Sequence, residues 1–289
     1  MQKIGYFIIR LVSLLPLSVL YAFSNILYVV LKYLIRYRKE VILKNLRSTF
    51  PEFSNQKISK IAKKFYWNLS DYMVETIKCI SIDYNTLKQY TEYKRIGIFE
   101  THKKEGKNVM VLIGHLFNWE WFLSLAPQLP QTHSYAIFKP VRNVFFNKTI
   151  LDIRSRFGTI NIPLYQAAKD IMRIPNDGDH VFLILGDQSP RIDQIYYSLP
   201  FLNQETAAYH GFDKIAKRRD MGVVYGHIIK TGRGRYKTTF IPINPMEDTF
   251  AENEIANQFF TLLEQNIRQQ PDNWLWSHKR WKHKKGIHF

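Results

Sequence analysis

"VMVLIGHLFNWEWF" (residues 109–122) is an apolar run closed by Gly114, with a histidine directly after it and one acid, Glu120, among aromatics. Charge precedes the run and glycine follows it, so residues 108–115 read as a short buried strand. The following stretch "NWEWFLSLAPQL" has helical spacing until Pro127. His115 then stands in a strand-to-helix turn. Residues five apart on a regular helix differ by about 140° around its axis, so His115 and Glu120 would diverge if both were helical. They share a site only if His115 occupies the turn and Glu120 the first helical turn. There a carboxylate could hold an imidazole in one tautomer and make it a general base for a hydroxyl. The competing reading is a core histidine with a solvated Glu120. Metal binding is weaker still, because one His and one Glu are too few ligands.

The same alternation extends outward. "HSYAIFKP" (133–140), "TINIPLY" (159–165) and "DHVFLILGDQS" (179–189) read as strands, the last of them fully buried. Helical spacing marks 55–79, where Ser54 or Asn55 can cap, and "VFFNKTILDIRSRFG", which stops at Gly158. It also marks 166–178, 210–220 and 252–269. "MGVVYGHIIKT" and "RYKTTFIPI" are strands joined by "GRGR" (232–235), a hairpin turn. Strands separated by helices predict an α/β fold, with helices on both faces of a sheet.

The chain has 289 residues, 46% of them hydrophobic, enough for a sizeable packed core. Lys and Arg number 41 against 24 Asp and Glu, a formal charge of +17. Such a field attracts polyanions: nucleic acid, an acidic protein or an anionic membrane surface. With Cys79 as the only cysteine, no internal disulfide framework or thiol metal cluster can form.

Residues 11–31, "LVSLLPLSVLYAFSNILYVVL", carry no charge. As one helix they would span about 31 Å, close to the hydrocarbon thickness of a bilayer. Pro16 is expected to break or kink that helix. No cleavage site follows; instead comes "KYLIRYRKEVILKNLR", a basic amphipathic run of the kind held at the cytoplasmic, anionic leaflet. The division expected is residues 1–48 as membrane anchor and basic segment, and 49–289 as the folded domain that follows it.

Other chemistries find little support. There is no G-x-S-x-G elbow, P-loop or G-x-G-x-x-G fingerprint, and Ser189 lacks flanking glycines. The tail "SHKRWKHKKGIH" mixes cations with a tryptophan that could stack on nucleic acid. No recognition motif accompanies it, so no nucleic acid partner is expected.

"GHLFNWE" has the H-x4-[DE] pattern of glycerolipid-type acyltransferases, and the chain over roughly 1–285 resembles the bacterial lipid A late acyltransferases. Four further stretches match that family in order: "YRKEVILKNLRSTFPEFS", "FKPVRNVFFNKTILDIRSRFG", "GDHVFLILGDQSP" and "QPDNWLWSHKRWKHK". The resemblance implies a single glycerolipid-acyltransferase-like domain, with a central mixed sheet flanked by helices and an N-terminal membrane-anchoring segment. It implies His115 as general base with Glu120 as its partner, and Arg154 and Asp187 as further polar residues of the site. Lys139, Asn143 and Arg156 are candidate substrate-binding residues; spacing alone cannot say whether Arg154 or Arg156 enters the site. No cofactor or metal is implied. The implied partners are acyl carrier protein, a lipid acceptor and an anionic membrane surface, with the catalytic domain on the cytoplasmic face of the inner membrane. The chain departs from the family at "PFLNQETAAYHG", where a Phe-Phe-Gly-type stretch is usual and Asn203 takes the glycine's place. That departure leaves the acceptor open.

Overall fold

The computed structural model of the protein describes residues 2–141, 143–209, 211–243 and 253–283. Helix α1 (Gln2–Leu14) and α2 (Leu17–Val29) are separate, because Pro16 stands between them as the N-cap of the second. A continuous helix over 11–31 is therefore not formed: a proline ring displaces the i−4 carbonyl and donates no hydrogen bond. The α2 helix runs on through a π-helical turn, Val30–Leu34, so that Leu17–Leu34 is long and apolar enough to cross a membrane. Only 28% of that window is buried. Arg36 and Arg38 take left-handed backbone before α3 (Lys39–Thr49), and the basic run is thus bent rather than one helix.

The long helix α4 (Asn55–Lys78) starts where Ser54 accepts a hydrogen bond from the Lys57 amide at 3.3 Å. It packs along α2 and α3. Two short helices and an edge strand, α5 (Tyr84–Lys88), β1 (Thr91–Lys94) and α6 (Gly97–Lys104), lead into β2 (Val109–Ile113). They are too short to show a periodicity. Then follow β3 (His133–Phe138), α7 (Val144–Arg154), β4 (Thr159–Pro163), α8 (Leu164–Arg173) and β5 (His180–Leu185). A β6–β7 hairpin (Ser198–Phe201, Gln204–Ala207), α9 (Gly211–Arg218), the long β8–β9 hairpin (Gly222–Gly232, Arg235–Pro242) and α10 (Glu254–Gln269) complete the described order.

Seven strands form one mixed sheet in the order β1-β9-β8-β2-β5-β3-β4. Only β8 and β9 pair antiparallel, across the turn foreseen at 232–235, where Gly234 has φ 69°. The central strand β2 is fully buried, consistent with parallel neighbours on both sides. Strand β5 is buried only over its first half. Leu183, Ile184 and Leu185 line cavities instead, which corrects the fully buried strand expected there.

At the β6–β7 turn Leu202 and Asn203 have φ of 52° and 59°. Such a two-residue turn with positive φ at both positions is of type I′, and Asn tolerates that conformation better than most residues with a side chain. The substitution of Asn for Gly is therefore conformationally conservative. Its amide also donates to the Thr49 carbonyl at 3.0 Å, tying the hairpin to α3.

Candidate active site

The site forms where β2 and β5 end side by side. Their parallel register pairs Ile113 with Leu185, so a glycine and then a polar residue follow on each strand: Gly114 and His115, Gly186 and Asp187. Gly114 is closely packed, and a side chain there would require Leu263 to move. A Cβ there would lie 2.5 Å from Leu263 Cδ1 of α10 and 3.4 Å from Asp187 Oδ2.

His115 is bonded on both sides of its ring. Its Nδ1 lies 2.5 Å from Asp187 Oδ1, its backbone amide donates to Asp187 Oδ2 at 2.9 Å, and the Gln188 amide nitrogen is 3.0 Å from Nε2. Trp274 donates its indole N–H to Asp187 Oδ2 at 2.7 Å. Burial alone would raise the Asp187 carboxyl, but His115 and these donors hold it down to about 2. A carboxylate on Nδ1 fixes the tautomer whose Nε2 lone pair accepts, here from the Gln188 amide. The ring edge opens into a cavity of about 410 Å3 that Arg154, Lys139, Gln188 and Tyr209 also line.

Glu120 lies near this pair without being His115's partner. Its carboxylate is gripped by Arg154, with Nη2 to Oε1 at 2.6 Å and Nε to Oε2 at 2.9 Å, and Trp119 donates to Oε1 at 3.0 Å. The expected His115–Glu120 contact is thus replaced by two pairs, His115 with Asp187 and Glu120 with Arg154. The Trp119 ring stands between them, its centroid 5.0 Å from that of His115. Burial disfavours the Arg154 charge, yet the Glu120 carboxylate outweighs it and raises the guanidinium above its ordinary value.

The helical stretch expected from Asn118 until Pro127 is not an α-helix, and residues 119–128 are tighter. They form two 3-10 turns, Trp119–Ser124 and Ala126–Gln128. Asn118 caps the first by accepting from the Glu120 amide at 3.0 Å, and its own amide donates to Glu75 of α4 at 2.9 Å. Fully buried Glu75 also accepts from Tyr236 and from Tyr21 of α2, and its backbone carbonyl accepts from Trp121. Burial raises the Glu75 carboxyl. A chain of direct contacts therefore runs from an N-terminal helix to the His115–Glu120 turn.

Of the two arginines, Arg154 faces the cavity. Arg156 turns away and donates to the Cys79 carbonyl at 2.5 Å. Asn143 is exposed and caps α7, accepting from the Phe146 amide at 3.1 Å, which is sufficient reason for its presence. Lys139 lines the cavity and a second one beside it, of about 570 Å3. Among the aromatics of the turn, Phe117 and Trp121 are core, 0% and 1% exposed. Trp119 and Phe122 line a narrow, mostly apolar pocket of about 40 Å3 behind Arg154.

Sequence reasoning missed Gln188, Trp274, Asn118 and Glu75. Gln188 is adjacent to Asp187, and Trp274 opens the W-x-W of the C-terminal stretch, so those two had a signal. The C-terminal segment docks on the turn itself: the Phe117 amide donates to the Asn273 carbonyl at 2.9 Å and the Leu275 amide to that of His115 at 3.1 Å. Residues 284–288 of the basic tail lie outside the described residues.

An imidazole held by a buried carboxylate, with a clamped arginine lining the same cavity, is an arrangement suited to acyl transfer. Residues 1–283 match the family described as bacterial lipid A biosynthesis acyltransferase, and the chain belongs to that family. Membership places it among the acyltransferases. No curated protein matches the chain.

Proposed function

We propose that the protein moves a fatty acyl chain from acyl carrier protein, or coenzyme A, to a hydroxyl of a lipid A precursor at the cytoplasmic face of the inner membrane. The observation that carries this reading is His115, with Nδ1 held by Asp187 and Nε2 beside the Gln188 amide, lining a cavity that Arg154 shares. With the acceptor hydroxyl in place of the Gln188 amide, Nε2 takes its proton as its oxygen attacks the thioester carbonyl carbon. The carbonyl oxygen gains negative charge, which Arg154 stabilises, while Glu120 keeps the guanidinium in place. Collapse breaks the C–S bond, and the imidazolium returns its proton to the departing thiolate. The product is an ester, and no acyl group is carried on the protein. Asp187 stabilises the imidazolium between the two proton transfers.

The apolar N-terminal helices and the basic residues after them support membrane attachment by residues 1–48, with residues 49–289 carrying the reaction. The net charge of +17 supports an acidic carrier protein and anionic lipid as partners. The decisive experiment is a transfer assay with acyl carrier protein and coenzyme A donors of several chain lengths and a panel of phosphorylated glycolipid acceptors. His115→Ala is expected to abolish ester formation while leaving the protein folded and membrane-bound. Near-normal transfer by that variant would overturn the mechanism.

A further inference from the structure

Among the described residues, all but Met73, Ile160 and Ile192 of the large hydrophobic side chains that stand exposed fall into two groups. One runs along the N-terminal helices from Phe7 to Ile35. The other surrounds the mouth of the two cavities beside His115. Val141, Leu164, Tyr165 and Tyr196 line the cavities, and exposed Val144 and Phe146 follow Val141 at the start of α7. Single exposed apolar side chains are ordinary, but a contiguous patch marks an interaction surface. Val144 is 74% exposed and Tyr165 77%, so the described chain leaves them uncovered.

Two observations say what covers them. The groups are continuous, because Tyr6 of α1 packs edge-on against Phe145, between Val144 and Phe146 in sequence, with ring centroids 6.4 Å apart. The rim also carries tyrosines and the cations Lys139 and Arg191 beside the apolar residues. Tyrosine at headgroup depth, cations toward anionic lipid and aliphatic side chains below them are the composition of a membrane interface.

We propose that the N-terminal ends of α7 and α8 form a second membrane contact, which seats the cavity mouth in the headgroup layer of an anionic bilayer. A lipid acceptor then reaches His115 laterally, without passing its chains through water, a cost that rises with every methylene. What enters rests on the acyltransferase reading; the docking surface does not.

The test exploits the single native cysteine, Cys79, which is fully buried. Full-length Val144→Cys, Leu11→Cys and Glu92→Cys, each carrying an environment-sensitive dye, are mixed with vesicles of phosphatidylethanolamine and phosphatidylglycerol containing nitroxide lipid. Glu92 is on β1, at the sheet edge opposite β4. Quenching and a blue shift are expected at positions 144 and 11 and not at 92. Val144→Glu with Phe146→Glu is expected to weaken vesicle partitioning on the order of tenfold. A dye at 144 that stays in water while that at 11 is quenched would overturn the proposal. So would one that responds to acyl carrier protein but not to vesicles. The His115→Ala background should leave the quenching unchanged, so loss of transfer and loss of docking are read separately.

Discussion

Asp187 shows how much one side chain decides. A carboxylate held down to about 2 adds stability above its unfolded value near 4 and surrenders it as pH falls toward 2. Asp187→Asn should therefore flatten the acid limb of a denaturation-midpoint profile between those values. It should also lower kcat by about 10^3–10^4-fold, because the imidazole loses its tautomer. Arginine makes a second test. Arg154→Lys cannot keep both bonds to Glu120, and kcat should fall roughly ten- to a hundredfold with the circular dichroism spectrum intact. Arg156→Lys should transfer at near the parental rate. Spacing could not choose between these two, since both belong to the end of one helix and its 3-10 extension. Nor could it identify the acid that meets His115. Glu120 is near in sequence, whereas Asp187 is 72 residues away and is brought in by the pairing of β2 with β5. His115 was legible locally as a candidate; the carboxylate that meets it was a property of sheet register.

At the level of elements, the strand, Gly114 and turn of the opening stretch were readable from burial pattern, and the helix after it was misread. Apolar spacing over six residues fits three per turn nearly as well as 3.6, and the Asn118 cap selects the tighter form. Gly114→Ala should destabilise by about 1–3 kcal/mol in denaturant titrations, since the added methyl meets Leu263. Leu263→Ala in the same chain should be less than additive with it. The Glu75 junction predicts a further effect. Glu75→Gln sets an amide donor among three donors, and about 1–3 kcal/mol of stability should be lost. The kcat should fall with it, because Asn118 no longer has a fixed carboxylate to hold the turn.

For the whole molecule, the charge of +17 predicts that vesicle binding weakens as ionic strength rises, with the apolar contribution left at high salt. Sedimentation with anionic vesicles from low to high salt would measure both. The α/β class could be read from the alternation of elements, and the edge strand β4 with it, while the other edge could not, because β1 is only four residues long. Trp274 carries a consequence for how the site is assembled. The residue that steadies Asp187 and the strand-like contact that braces the turn both come from 273–275, downstream of every strand of the sheet. His115 and Asp187 are therefore translated before the segment that braces them. The pair takes its final geometry only once residues 273–275 have docked.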